Sequence, residues 1–216
     1  MKVGIFGGTF NPIHFAHLRI AEEIRDTFDL ARVTFVPAAT PPHKPLADNL
    51  SFERRLEMVG TAIEGNPFFT VSDIEGKRQG KSYSIDTIHL FRKLYPHDEF
   101  YFIMGSDSFA DFSSWRNYTA IFSCCNIVSI SRPGVEISCL RKALPVDIAQ
   151  DFCYYEAEKR LAHKSGYSVY SIVGTQLDIS STAIREMVKM GRSIKYLVPE
   201  SVEKYIHEQR LYLNAR

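Results

Sequence analysis

The densest chemistry in this chain lies near its start, in Gly7-Gly8-Thr9-Phe10-Asn11-Pro12-Ile13-His14-Phe15-Ala16-His17. Lys2 to Phe6 is a short apolar run that reads as a strand, and Gly7-Gly8 end it. Glycines there let backbone N–H groups approach an anion closely. A helical pattern begins near His14, so free N–H groups and the positive end of a helix dipole face the same loop. His14 and His17 are three apart and share one helix face. Two imidazoles so placed can donate hydrogen bonds to phosphate oxygens without a permanent charge. The same spacing could hold a metal, but no HExxH and no Cys/His cluster accompanies it. A Gly-Gly pair is also the composition of an ordinary strand-to-helix turn. The Walker pattern GxxxxGK[ST] and GxGxxG are absent, which disfavours a P-loop kinase and a typical NAD-binding domain.

A second anion site is written in Ile179-Ser180-Ser181-Thr182-Ala183-Ile184-Arg185. One hydroxyl suffices to cap the helix that begins there. Three hydroxyls, with Arg185 one turn in, add free N–H groups and a guanidinium suited to phosphate. Each motif follows a strand. In a parallel sheet the carboxyl ends of the strands lie on one edge, so both helix starts can face one crevice. Two anion sites in one crevice suit a polyphosphate.

The elements that must position these motifs follow from periodicity. Leu18, Ala21, Ile24 and Phe28 recur at helical spacing, and Val33 to Val36 is a second strand. Strand, helix and strand make a βαβ unit, hence a parallel sheet in an α/β domain. Residues 37 to 50 form a Pro-rich loop. Ser51 caps a helix with Leu56, Val59 and Ile63 as its stripe. Phe68 to Ser72 is a strand, and Ser84 is read as the cap of a helix carrying Ile85, Ile88, Phe91 and Leu94, ended by Pro96. Phe100 to Met104 and Asn126 to Ile130 are strands. Asp147 to His163 reads as a helix holding Phe152, Tyr155 and Leu161, within an insertion over 135–165. Ser168 to Val173 is the last strand. A helix from Ser181 is closed by Gly191, and Pro199 opens a C-terminal helix. Residues 1–216 read as a single domain, with 180–216 its C-terminal helical part.

Composition bounds the reading. The chain has 216 residues, 45% hydrophobic and 24% charged, with Lys+Arg 26 against Asp+Glu 25 and a net charge of +1. A collagen-like, coiled-coil or wholly disordered chain is excluded. The charge balance gives no footprint for nucleic acid, and no stretch approaches the ~18 apolar residues of a membrane span. The Met1–Gly8 run is too short for a secretion signal. Cys124, Cys125, Cys139 and Cys153 fit no zinc or CxxC spacing, and read as reduced thiols of a cytoplasmic protein. A homo-oligomer stays open on these grounds.

Taken together, the motifs resemble the HxGH nucleotidyltransferase superfamily, and within it the bacterial nicotinate-nucleotide adenylyltransferases. The likeness runs from the first motif through Pro41-Pro42-His43-Lys44, Ser82-Tyr83-Ser84, Gly105-x-Asp107, Trp115 and Arg132-Pro133-Gly134 to Ser180-Ser181-Thr182-x-x-Arg185. Two departures stand out: Ala16 replaces the glycine of HxGH, and Asn11 stands where the family often has Asp.

The resemblance implies a Rossmann-like doubly wound parallel sheet of the nucleotidyltransferase type. It implies adenylyl transfer from ATP to nicotinate mononucleotide, with pyrophosphate as leaving group and Mg²⁺ on the triphosphate. It makes His14, His17 and Arg185 the catalytic set. Gly7, Gly8, Thr9, Phe10, Gly105, Asp107, Ser180, Ser181 and Thr182 would bind ATP. Lys44, Ser82, Tyr83, Trp115 and Arg132 would bind the mononucleotide, with Trp115, the single tryptophan, stacked on the pyridine ring. No residue is implied as a resident metal ligand.

Three other readings compete. A sibling phosphopantetheine adenylyltransferase or cytidylyltransferase shares the first motif but is shorter. A tRNA-linked enzyme is suggested only by Lys189-Met190-Gly191-Arg192-Ser193, which the helix C-terminus also explains. A non-catalytic nucleotide-binding protein would keep the ATP site without turnover.

Overall fold

The computed structural model describes residues 1–42, 50–131, 144 and 146–213. They build one eight-stranded sheet in the order β3-β2-β1-β4-β5-β8-β7-β6. Its strands are β1 (Lys2–Gly8), β2 (Arg32–Pro37), β3 (Phe69–Val71), β4 (Glu99–Gly105), β5 (Asn126–Ser131), β6 (Phe152–Tyr155), β7 (Arg160–His163) and β8 (Ser168–Val173). β3, β2, β1, β4, β5 and β8 run parallel, with Gly4 opposite both Val33 and Tyr101. The order reverses between β1 and β4, so a crevice opens at their carboxyl ends.

Strand side chains alternate between two buried faces. Phe6, Phe35, Ile103 and Val128 pack on one side with Ile24 of α1 (Phe15–Phe28) and Met58 of α2 (Phe52–Ile63). Val3, Ile5, Phe102 and Ile127 pack on the other, with Ile88 of α3 (Ser84–Leu94), Phe109 of α4 (Ser106–Ala110) and Ile121 of α5 (Tyr118–Ile121). Helices on both faces make the sheet doubly wound. The short α6 spans Val146–Ala149. Helices α7 (Ser181–Lys189) and α8 (Glu200–Glu208) join the α1 side through Ile184, Val202 and Ile206, and Tyr212 beyond them is buried there too.

Local signals in the sequence act as expected at several ends. The Ser51 side chain accepts the Arg54 N–H at the start of α2. Gly191, at φ +66, closes α7 with the Arg192 N–H on the Met187 carbonyl and its own N–H on that of Val188. Those two bonds form a Schellman closure.

Three expectations change. Residues 147–163 are not one helix: after α6 the chain forms an antiparallel hairpin, with Phe152 opposite His163 and Tyr155 opposite Arg160. β7 then pairs antiparallel with β8, so sheet hydrogen bonds decide the segment. The supposed helical stripe fails because Tyr155 is exposed while Leu161 is buried. Secondly, β1 does not stop at Phe6; Gly7-Gly8 are paired as its last two residues, opposite Val36 and Pro37. Thirdly, the buried stripe of α2 is Arg55, Met58, Val59 and Ile63, with Arg55 where Leu56 was expected.

Candidate active site

The loop after β1 turns through Phe10, whose φ of +49 is unusual for a residue with a side chain. Its ring is buried, edge-on to Phe6 at 5.7 Å and to His17 at 5.2 Å. Gly8 lies beneath that ring. A Cβ at position 8 would sit 2.8 Å from it. Gly8 is therefore needed for close packing rather than for a left-handed turn. Gly8→Ala is expected to cost about 1–3 kcal/mol of stability, since Phe10 is boxed in and cannot swing away. A urea midpoint equal to the parent's would show that the ring moves freely.

His14 is the N-cap of α1 and is 5% exposed. His17 lies one turn on, and the two rings stack with centroids 3.7 Å apart. The His14 backbone N–H donates to His17 Nδ1 at 3.3 Å. Neutral His17 therefore carries its proton on Nε2 and offers it as a donor. Nδ1 of His14 is shielded and has no hydrogen-bond partner. Burial pushes the His14 pKa down to about 4. Burial, together with His14 beside it, holds His17 well below the usual imidazole range. At neutral pH the pair is uncharged and acts through N–H donors.

The second motif folds onto the first. Ser180 caps α7 by accepting the Ala183 N–H at 3.2 Å. Ser181 Oγ donates to the Pro12 carbonyl at 2.8 Å. Arg185 Nη1 donates to the Asn11 carbonyl at 2.8 Å, and Nη2 reaches Thr182 Oγ1 at 3.5 Å. The Tyr212 hydroxyl donates to Asn11 Oδ1 at 2.7 Å. The loop between β1 and α1 is thus fastened by α7 and by the chain's last buried residues.

Two cavities meet at the crevice and share Phe6, Gly7, Gly8 and Gly105 as walls. The larger, about 640 Å³, holds Phe10, His14, Ala16, His17, Asp107, Ser180 and Ser181. The smaller, about 230 Å³, holds Thr9, Ser82, Tyr83, Trp115 and Arg116, walled by Pro41 and Pro42. Trp115 packs against the Phe112 ring at 5.1 Å. The Ser82 hydroxyl accepts the Thr40 N–H at 3.0 Å, so it braces the Pro-rich loop. Tyr83, not the expected Ser84, is the N-cap of α3; Ser84 is already the first helical residue, and Tyr83 makes no side-chain cap bond and lies under the Arg116 guanidinium at 4.8 Å.

Of the expected ATP residues, Gly7, Gly8, Phe10, Gly105, Asp107, Ser180 and Ser181 line the larger cavity, and of the expected mononucleotide residues Ser82, Tyr83 and Trp115 line the smaller. Thr9 faces the smaller cavity, whereas Thr182 and Arg185 line neither. Lys44 and Arg132 lie outside the described residues. No group of three or more metal-ligating side chains occurs among the described residues. Asp107 is the one described carboxylate lining the larger cavity.

Sequence reasoning missed Arg55, Glu75, Arg116 and Tyr212. Arg55 had a visible signal, a charge at helical spacing from Met58, Val59 and Ile63. Glu75 is 7% exposed and lines the smaller cavity, with Oε1 held by Thr87 at 2.6 Å. Nothing in its local sequence announces that.

Comparison with known proteins fits this geometry. The cytidylyltransferase-like family model matches residues 5–187. A probable nicotinate-nucleotide adenylyltransferase of Geotalea uraniireducens is 68% identical over 216 residues, 100% of both chains. One of Geobacter metallireducens is 62% identical, again over 100% of both. Among solved structures, a Plasmodium falciparum nicotinic acid mononucleotide adenylyltransferase complexed with NaAD shares the fold at a TM-score of 0.74 and 21% identity. It covers 98% of this chain and 97% of that one. By these similarities the chain belongs to the cytidylyltransferase-like family and, within it, to the nicotinate-nucleotide adenylyltransferases.

Proposed function

We propose that this protein joins nicotinate mononucleotide to ATP, giving nicotinate adenine dinucleotide and pyrophosphate. The observation that carries the reading is the pair of unlike cavities sharing the walls Gly7, Gly8 and Gly105. One is lined by imidazoles and helix-start hydroxyls, the other by Trp115, Tyr83 and prolines. A nucleotide in each would bring its phosphate to the shared wall.

In this reaction a phosphate oxygen of the mononucleotide attacks the ATP α-phosphorus in line. The bond from that phosphorus to the β-phosphate oxygen breaks, and pyrophosphate leaves with the electron pair. No enzyme nucleophile is needed, so catalysis is positioning and charge stabilisation. His14 and His17 act as N–H donors to the α-phosphoryl oxygens. Gly7, Gly8 and Phe10 offer backbone to the same phosphates. Thr9, on the mononucleotide side, contacts the incoming phosphate. Ser180, Ser181, Thr182 and Arg185 hold the β- and γ-phosphates, with Arg185 exchanging its bond to the Asn11 carbonyl for the anion. Gly105 and Asp107 border the adenosine. Trp115 stacks on the pyridine ring, Ser82 and Tyr83 flank its carboxylate, and Lys44 and Arg132 attract the mononucleotide phosphate.

A single carboxylate on the larger cavity suits a hard cation that takes most ligands from the triphosphate and water. Mg²⁺, held mainly by substrate oxygens and water, would neutralise phosphate charge when bound, with Asp107 kept for the adenosine. No helix among the described residues is long and apolar enough to cross a membrane. An ATP-consuming reaction of this kind suits the cytoplasm.

The test is pyrophosphate release with ATP and Mg²⁺, comparing nicotinate mononucleotide, nicotinamide mononucleotide and phosphopantetheine. Release with the nicotinate form is the expected result. Release with phosphopantetheine alone would move the chain to a sibling activity, and silence with all three would favour a binding protein.

A further inference from the structure

Arg55 is the largest fully buried side chain among the described residues, at 0% exposure. It projects from α2 toward the two loops that rim the smaller cavity. Nη1 donates to the Thr9 carbonyl at 2.9 Å and Nη2 to the Ala39 carbonyl at 3.4 Å. Nε has no hydrogen-bond partner. The guanidinium forms no ion pair among the described residues. Glu53 and Glu75 are near enough to stabilise its charge without a direct ion pair; Glu75 Oε1 is held by Thr87, and its Oε2 is buried with no hydrogen-bond partner. Burial lowers the Arg55 pKa, yet an arginine starts so high that it stays protonated. A buried cation without a direct ion pair is expensive, so the groups its N–H donors do hold are worth following.

The two carbonyls it holds are informative. In a planar trans peptide the C=O and the following N–H point in opposite directions. Fixing the Ala39 carbonyl on Arg55 turns the Thr40 N–H the other way, where it donates to Ser82 Oγ at 3.0 Å. Fixing the Thr9 carbonyl likewise turns the Phe10 N–H away from Arg55. That peptide sits on the border between the cavities, since Thr9 lines the smaller and Phe10 the larger. The border is where the two phosphates of the proposed reaction meet.

We propose that Arg55 is a positioning residue for phosphoryl transfer: its guanidinium orients the Thr9–Phe10 peptide so that the Phe10 N–H faces the reacting phosphate, and its charge, which forms no direct ion pair among the described residues, lies behind that peptide. Donors fixed before the reaction cost no reorganisation when charge develops. The inference rests on the transferase reading, and adds to it a residue that does not touch substrate.

The test uses the full chain as parent, Arg55→Lys, Arg55→Met and, as control, Arg54→Ala, whose wild-type side chain is exposed. kcat and KM are measured for both substrates, and the affinity for inorganic pyrophosphate by equilibrium binding. Arg55→Met keeps much of the volume without the charge or the donors. It is expected to lose about 10–10²-fold in kcat and about tenfold in pyrophosphate affinity, with KM for ATP moving less than kcat. Arg55→Lys keeps the charge but lacks the planar fork. Its pyrophosphate affinity should stay within about threefold of the parent while kcat still falls about tenfold. A structural role alone would lower the melting temperature and leave kcat per folded molecule unchanged, and that result overturns the proposal. If Arg55→Met does not fold, Arg55→Lys decides: parental kcat overturns the proposal, and a lowered kcat with retained pyrophosphate affinity supports it. A parent inactive on every substrate would instead overturn the transferase reading, while an active parent with indifferent variants overturns only the role of Arg55.

Discussion

Replacing His17 by alanine is expected to lower kcat by about 10²–10³-fold while KM for ATP moves by less than about threefold. The reason is geometric. His17 Nδ1 is engaged by the His14 backbone N–H, so Nε2–H is the donor left to act. The ring is neutral, stacked on His14 and packed against Phe6 and Phe10, so its donor is preset. A donor of this kind gains most when charge builds on the phosphoryl oxygens and little from ground-state ATP. Alanine also strips the acceptor from the His14 N–H, at a cost of about 1 kcal/mol of helix capping. His17→Asn separates the two effects, because its amide oxygen can still accept that N–H. Steady-state kinetics of both variants should show the same loss in kcat, with stability restored only in the asparagine form. Full activity in His17→Asn would show that the Nε2 donor is not used.

Acid should weaken the fold before ordinary carboxylates titrate. The folded pKa of His14 is about 4, against 6.5 for a free imidazole. Between those values the unfolded chain binds the extra proton, so stability rises with pH across the window and falls as pH drops through it. The full contribution is present above pH 6.5, and all of it is gone below 4. Going from pH 7 to 5 should cost about 2 kcal/mol through His14, and the whole window on the order of 3 kcal/mol. His17 and His163 are also lowered by burial and act in the same direction. Urea titrations at pH 7 and pH 5 check this in the parent and in His14→Asn. The parent should lose the larger amount. Equal losses would show that His14 is not a buried neutral imidazole.

The fold was largely legible from the chain. Alternation and apolar runs placed β1, β2, β4, β5 and β8, and helical spacing placed α1, α3 and α7, because each buries a stripe or face whose period is set by its own backbone. The hairpin β6–β7 was not legible. Phe152, Tyr155 and Leu161 satisfy a loose helical stripe, and only pairing to β8 chooses the strand. β-structure depends on partners distant in sequence, so local pattern underdetermines it.

The site divides in the same way. Residue types and spacing alone pointed to two candidate phosphate motifs, a histidine pair three residues apart and a lone tryptophan. Those follow from chemistry carried within a few consecutive residues. Only the tertiary structure decided that Ser181 and Arg185 fasten the Asn11–Pro12 backbone, that Tyr212 closes on Asn11, and that Arg55 is buried behind Thr9. It also decided the charge of the histidines, because a pKa answers to desolvation by whatever packs around the group. Burial and carbonyl partners come from segments that meet only when the sheet winds, and no local spacing encodes them.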